Sequence, residues 1–160
     1  MKPRKLPKMK REEIEALLDS ESICRIAFRG DRYPYMAPFQ YVRRGGALYF
    51  HFTDYGRKIR LLEADPNVCV GVERLEPDLS EYRFVALSGA LERVEDVRER
   101  AEALRLLSEA GREGLSQNFL AAHGFEAEAS WSALSGDAPL IVYKLARFTD
   151  VVGLRSPYQS

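Results

Sequence analysis

A mainly β fold, a small antiparallel barrel with a few peripheral helices, is what this sequence predicts. Three observations point there. About six segments carry the aromatic and β-branched residues of strands. Most follow one another through short turns, which favours antiparallel neighbours over crossover units. Only a few segments show apolar residues at helical spacing. The chain has 160 residues, 46% of them apolar. That is enough for one domain with a real core. The expected organisation is a basic N-terminal arm (1–10), a single barrel domain (11–155) and a short tail (156–160).

The arm, MKPRKLPKMK, is basic and interrupted by prolines. It reads as a loose terminal segment rather than a nucleic-acid tail. Residues 10–20 place Ile14, Leu17 and Leu18 at helical spacing, an amphipathic helix lying across one end of the barrel. Residues 22–28 (SICRIAF) alternate as a strand, and Gly30-Asp31 marks a turn. Residues 35–42 form a second strand. Pro38 inside it cannot donate a ladder hydrogen bond, which leaves an open position. Two readings stand for that position: backbone groups freed for a ligand, or an edge strand guarded against aggregation.

Arg43-Arg44-Gly45-Gly46 is a hairpin loop. Residues 47–53 (ALYFHFT) are a strand with Leu48, Phe50 and Phe52 on one face and Tyr49, His51 and Thr53 on the other. Thr53-Asp54-Tyr55-Gly56 turns, and Ile59, Leu61, Leu62 and Ala64 fit a short helix stopped by Asp65-Pro66. Residues 68–72 are strand, 73–81 a polar loop. Residues 82–93 form a long strand with a bulge expected at Ser88-Gly89. Asp96 caps a helix over 97–110, which Gly111 ends. A short helix over 117–123 closes at Gly124, with His123 in its last turn. Trp131 is read as core, or as a ring stacked on a cofactor. Residues 140–154 are one long strand or two.

The densest chemistry lies at the turn before Arg57. A strand end delivers the Thr53 hydroxyl and Gly56 lets backbone approach a ligand. The helix start offers unpaired N–H groups and a partial positive charge. Arg57 and Lys58 add two full charges where they oppose the helix dipole, and a docked anion would reverse the sign of that effect. This is the design of a phosphate site. An ordinary surface Arg-Lys pair is the other reading of the same residues.

The run FTDYGRK, followed by a short helix and ADPNVCVGV, resembles the flavin mononucleotide (FMN) site of the split-barrel flavoproteins, the pyridoxamine 5′-phosphate oxidase superfamily. The words CRIAF, PYMAPFQY, GALYFHF, GRK, LLEADPNVCV and SGALERVED, in that order, are similar to its nitroimidazole-resistance-like branch. The resemblance implies a six-stranded antiparallel split barrel that binds FMN and pairs as a homodimer, with sites at the subunit interface. It implies that Arg57 and Lys58 hold the phosphate and Thr53 the phosphate or ribityl chain. Phe52 would pack near the cofactor or supply backbone contacts, and Met36, Ala37, Pro38 and Phe39 would run beside the flavin ring and offer it backbone contacts. His51 would lie near the flavin, donating a proton to a reduced substrate or holding an anionic one; a buried histidine bonded to backbone is the other reading.

Two departures from the pattern matter. Phe84 stands where the superfamily often has a polar side chain near the ring. The C-terminal stretch VVGLRSPYQS lacks the Arg-x-His motif with which true pyridoxamine phosphate oxidases hold their substrate. The expected function is therefore an FMN-dependent oxidoreductase for a small molecule, with nitroaromatic reduction among its candidates. A flavin- or haem-binding sensor or store is the alternative. Net charge is zero, which gives no bulk attraction to nucleic acid or anionic membrane. No apolar run is long enough to span a bilayer, and the N-terminus lacks a signal peptide's apolar core. Cys24 and Cys69 read as small buried hydrophobes, no metal cluster is seen, and a cytoplasmic location is expected.

Overall fold

Each strand prediction finds a counterpart in the computed structural model, which describes residues 2–122, 125, 130–135 and 137–158. In chain order the elements are α1 (Arg11–Ser20), β1 (Ile23–Phe28), β2 (Tyr35–Gln40), β3 (Val42–Arg44), β4 (Ala47–Thr53) and α2 (Arg57–Ala64). There follow β5 (Asn67–Leu75), β6 (Tyr82–Ala90), β7 (Glu92–Arg93), α3 (Val97–Gly114) and α4 (Gln117–Ala121). A 3-10 turn (Trp131–Ala133), β8 (Leu140–Leu145) and β9 (Asp150–Arg155) complete the described chain. The first sheet runs β2-β1-β5-β6-β9 and the second β3-β4-β8-β7. All pairings are antiparallel. The fold is a split barrel with peripheral helices.

The expected six strands become nine segments because long strands change sheets. Residues 35–42 are not one strand. The chain leaves the first sheet at Gln40, passes through Tyr41 and enters the second at Val42. Tyr41 is fully buried, and its hydroxyl donates to the Leu18 carbonyl of α1 at 2.8 Å. Residues 82–93 do the same at Leu91, whose N–H donates to the Pro66 carbonyl at 2.9 Å. The bulge expected at Ser88-Gly89 is absent: Cys69 faces Ser88 and Val68 faces Gly89 in unbroken register. Glycine is required there for space, since a Cβ would lie 2.4 Å from the Arg147 carbonyl oxygen. Residues 140–154 are two strands, one in each sheet.

The alternation in β1 sends Cys24, Ile26 and Phe28 into the barrel interior. β4 is buried on both faces. Leu48, Phe50 and Phe52 join the interior core, while Ala47 and Tyr49 join a second core between the second sheet and α3. Gly111 does not end α3, which continues to Gly114. The Trp131 ring lies against Gly111, and a Cβ there would come within 2.2 Å of it. Trp131 is core, 4% exposed. The N-terminal arm is not loose where it meets β9. Lys8 bridges Leu154, Met9 N–H donates to the Gly153 carbonyl at 2.8 Å, and Met9 is buried. The loop expected over 73–81 is shorter, because β5 continues to Leu75. His123 and Gly124 lie outside the described residues.

Both cysteines are free. Burial pushes the Cys24 thiol well up from its ordinary pKa. Among the described residues no helix is long and apolar enough to cross a membrane.

Candidate functional site

β3 pairs only with the first part of β4, from Ala47 to Tyr49. The remaining residues of β4 have β8 on one side and no described strand on the other. β2 is likewise an edge strand of the first sheet. Two strand edges with uncommitted backbone groups therefore border one place in the molecule. Phe39 of β2 and Phe52 of β4 close the floor between them, with ring centroids 4.8 Å apart.

A cleft of about 510 Å³ opens there. β2 supplies Tyr35, Ala37, Pro38 and Phe39, and β4 supplies His51, Phe52 and Thr53. Tyr55 in the turn, Lys58 and Ile59 of α2, and Phe119 and Ala122 at α4 complete the wall. The volume suits a ligand of cofactor size.

The rim at α2 is electropositive by construction. Gly56 has φ +100°, a conformation that side-chain-bearing residues rarely adopt, and sets the helix start. A Cβ at Gly56 would meet nothing within 4 Å, so backbone conformation rather than space calls for glycine. No side chain caps α2, and its first turn holds no acidic residue. α3 differs: Asp96 accepts the Glu99 N–H at 2.7 Å, and Glu99 lies in its first turn. The positive end of α2 thus keeps its capacity to bind an anion.

Arg57 and Lys58 stand on that end. The Arg57 guanidinium carbon lies 4.6 Å from the Tyr35 ring centroid, and Lys58 Nζ lies 4.8 Å from that of Phe39. Neither joins an ion pair among the described residues. Thr53 Oγ1 donates to the Tyr55 carbonyl at 3.1 Å, which folds the turn beneath them. His51 is 5% exposed, opposite Val142 of β8, and is among the residues that line the cleft. No three His, Cys, Asp or Glu side chains are grouped to hold a metal among the described residues.

Of the residues singled out from sequence, Ala37, Pro38, Phe39, His51, Phe52, Thr53 and Lys58 come together in this wall. Arg57 sits at its border on Tyr35. The Met36 side chain does not join them. It lies on the face of β2 that Pro38 shares, away from Ala37 and Phe39, and is 62% exposed; the contact expected of Met36 is through its backbone. Tyr35 and Phe119 belong to the wall and were missed. Tyr35 adjoins the stretch read as contact strand, so its neighbourhood carried a signal. Phe119 reaches the cleft only through the packing of α4.

Comparison with known proteins fits this architecture. The family model described as pyridoxamine 5′-phosphate oxidase matches residues 10–135. A FAD-binding protein from Mesorhizobium loti superposes with TM-score 0.70 at 21% identity, covering 94% of this chain and 98% of that one. A protein from Bacteroides thetaiotaomicron named for 5-nitroimidazole antibiotic resistance gives 0.65 at 21% identity, covering 94% and 90%. A FAD- and haem-binding protein from Mycobacterium smegmatis gives 0.68 at 20% identity, covering 93% and 72%. No curated protein matches the chain. With a family model spanning most of its length and a shared split-barrel fold, the chain belongs to the pyridoxamine 5′-phosphate oxidase family.

Proposed function

We propose that the chain is a flavoprotein that holds FMN in this cleft and acts as an oxidoreductase on a small acceptor. The observation that carries the reading is the uncapped start of α2 at the cleft rim, with Arg57 and Lys58 in no ion pair among the described residues. A terminal phosphate dianion would satisfy the helix N–H groups and both cations at once. The similar proteins described as FAD-binding support a flavin, and the closely set cations favour the single phosphate of FMN.

The residues present fit such a group. The apolar floor of Phe39 and Phe52 would lie against a planar ring system, and the unpaired edges of β2 and β4 would offer it backbone hydrogen bonds. Thr53 stands between floor and rim, within reach of a polar linker. Bound flavin supplies electron and hydride transfer that the protein itself lacks. His51 would hold or deliver a proton at the cleft wall. Pyridoxamine phosphate is not the proposed substrate, because β9 and the residues after it carry no Arg-x-His pair.

The active unit in this reading is a homodimer. The outer face of the first sheet is uncovered and presents Met36, Phe84 and Val152 to solvent around the small residues Gly71 and Ala86. Phe84 lies on that face, away from the cleft of its own chain. An apolar sheet face of this kind is suited to a second copy. Light scattering should give a dimer, and Phe84→Glu should shift it toward monomer. A monomer with full flavin occupancy would contradict the assembly.

The flavin itself is tested by the visible spectrum and by release on denaturation. Calorimetry should show riboflavin binding roughly 10- to 100-fold more weakly than FMN, the value of one charge-assisted hydrogen bond or more. Equal affinities would remove the phosphate site. Bleaching by NAD(P)H and recovery of colour on adding a quinone or nitroaromatic would establish turnover.

A further inference from the structure

The two rim cations are held in an unusual way for charged side chains. Many arginines of this molecule lean on carboxylates, as Arg43 does on Asp19 and Arg105 on Glu102, although Arg32 lies over the Tyr33 ring. Arg57 and Lys58 lean instead on the faces of aromatic rings. The difference has a chemical consequence. A carboxylate partner fixes a cation but cancels its charge and occupies its donors. A ring face fixes it through the quadrupole while the net charge stays whole. For a guanidinium, whose N–H donors lie in its own plane, a ring beneath leaves those donors pointing outward.

Both rings are themselves anchored. Tyr35 is half-buried and leans on Phe28, with centroids 5.9 Å apart. Phe39 is buried between Phe28 at 5.9 Å and Phe52 at 4.8 Å. Arg57, by contrast, is on the surface and has many rotamers to lose when an anion docks. We infer that Tyr35 is a positioning residue for anion recognition: its ring holds Arg57 in a phosphate-ready place without neutralising it. This role rests on the phosphate reading of the cleft. Tyr35 acts through Arg57, and the hydroxyl of Tyr35 is not needed for it.

The experiment is calorimetry of FMN and riboflavin on the flavin-free full-length chain, read as the ratio of the two affinities. The ratio isolates the phosphate, so a general loosening of the cleft by a variant cancels. Tyr35→Leu should lower the FMN preference about two- to five-fold, the size of one exposed cation–π contact. Tyr35→Phe should keep it. In an Arg57→Gln background Tyr35→Leu should cause no further loss of preference, since the two residues form one unit. An unchanged ratio in Tyr35→Leu overturns the role. So does an equal loss in Tyr35→Phe, or a full additional loss in the double variant. Equal affinity of the unsubstituted chain for FMN and riboflavin would overturn the phosphate reading itself, and this role with it. A normal preference in the unsubstituted chain that ignores Tyr35 overturns the role alone.

Discussion

Gly111→Ala should destabilise the protein, against the direction that helix propensity alone dictates. Alanine is favoured over glycine inside a helix by about 1 kcal/mol. Here the new Cβ would lie 2.2 Å from Trp131 Cζ3, 2.3 Å from Cε3 and 2.7 Å from Cη2. Ordinary carbon contacts are about 3.5–4.0 Å, so the ring must retreat by more than an ångström. It has little freedom to do so. Ser108, one turn earlier on α3, donates to the Trp131 carbonyl at 2.7 Å and ties that segment to the helix. Overpacking of a closed site costs about 1–3 kcal/mol, and displacing a buried indole exposes apolar area besides. A net loss of about 1–2 kcal/mol follows, or roughly 2–8 °C in melting temperature for a chain of this length. Trp131 is the single tryptophan, so urea unfolding followed by its emission reads the affected site directly. The native emission should shift to the red and the midpoint should fall. Gly114→Ala is the control, since its Cβ would meet nothing within 4 Å. It should be neutral or gain up to about 1 kcal/mol. A Gly111→Ala protein as stable as its parent, with unshifted emission, would refute the packing argument.

Three further outcomes are expected. His51→Ala should retain FMN while acceptor reduction falls by roughly 10²-fold, the scale of a lost acid–base group; loss of FMN with unchanged turnover per bound flavin would make His51 a cofactor contact instead. Gly89→Ala should cost about 1–3 kcal/mol by chemical denaturation, because the obstacle at 2.4 Å is the Arg147 carbonyl oxygen and not a movable side chain; a neutral effect would show that the two sheets can part there. Glu99 is held below its ordinary pKa of 4.5 first by the Lys144 ammonium at 2.7 Å and then by the Tyr49 hydroxyl at 2.8 Å. The unfolded chain therefore takes the proton first, so this contribution is full above the ordinary value and is lost as pH falls through the depressed one. Glu99→Gln should be the less stable protein at neutral pH, with the gap closing in acid; a gap constant with pH would exclude the linkage.

Much of this fold is legible in the sequence where the governing interaction is local. Alternation in β1 and β4 names the faces that the structure buries, and the Asp65-Pro66 stop ends α2 where it stands. What escapes is decided at a distance. Tyr41 and Leu91 carry no local mark of a strand changing sheets, because each reads as one more residue of a continuing strand and only the partner strands differ. Gly89 and Gly111 look like breakers, yet each is small because a distant group, the Arg147 carbonyl or the Trp131 ring, presses against it. The site divides the same way. Residues 52–58 are contiguous, so strand end, turn, glycine and cations can be read together. Tyr35 and Phe119 join them only after β2 and α4 are in place. The docked arm was misread because its hydrogen-bonding partner is β9, at the other end of the described chain.

That arm has a consequence for how the molecule is made. Arg4 reaches the Tyr158 hydroxyl across 154 positions of chain, and Met9 is hydrogen-bonded to Gly153. The barrel's opening residues therefore cannot settle until β9 exists. At translation speeds of about 5–20 residues per second, this segment leaves the ribosome on the order of ten seconds before its partner. Throughout that wait Met9 lacks its strand partner on the nascent chain. The lysines and arginine before Met9 favour hydration of that waiting segment, and its prolines make it poorly suited to pairing with a neighbouring chain.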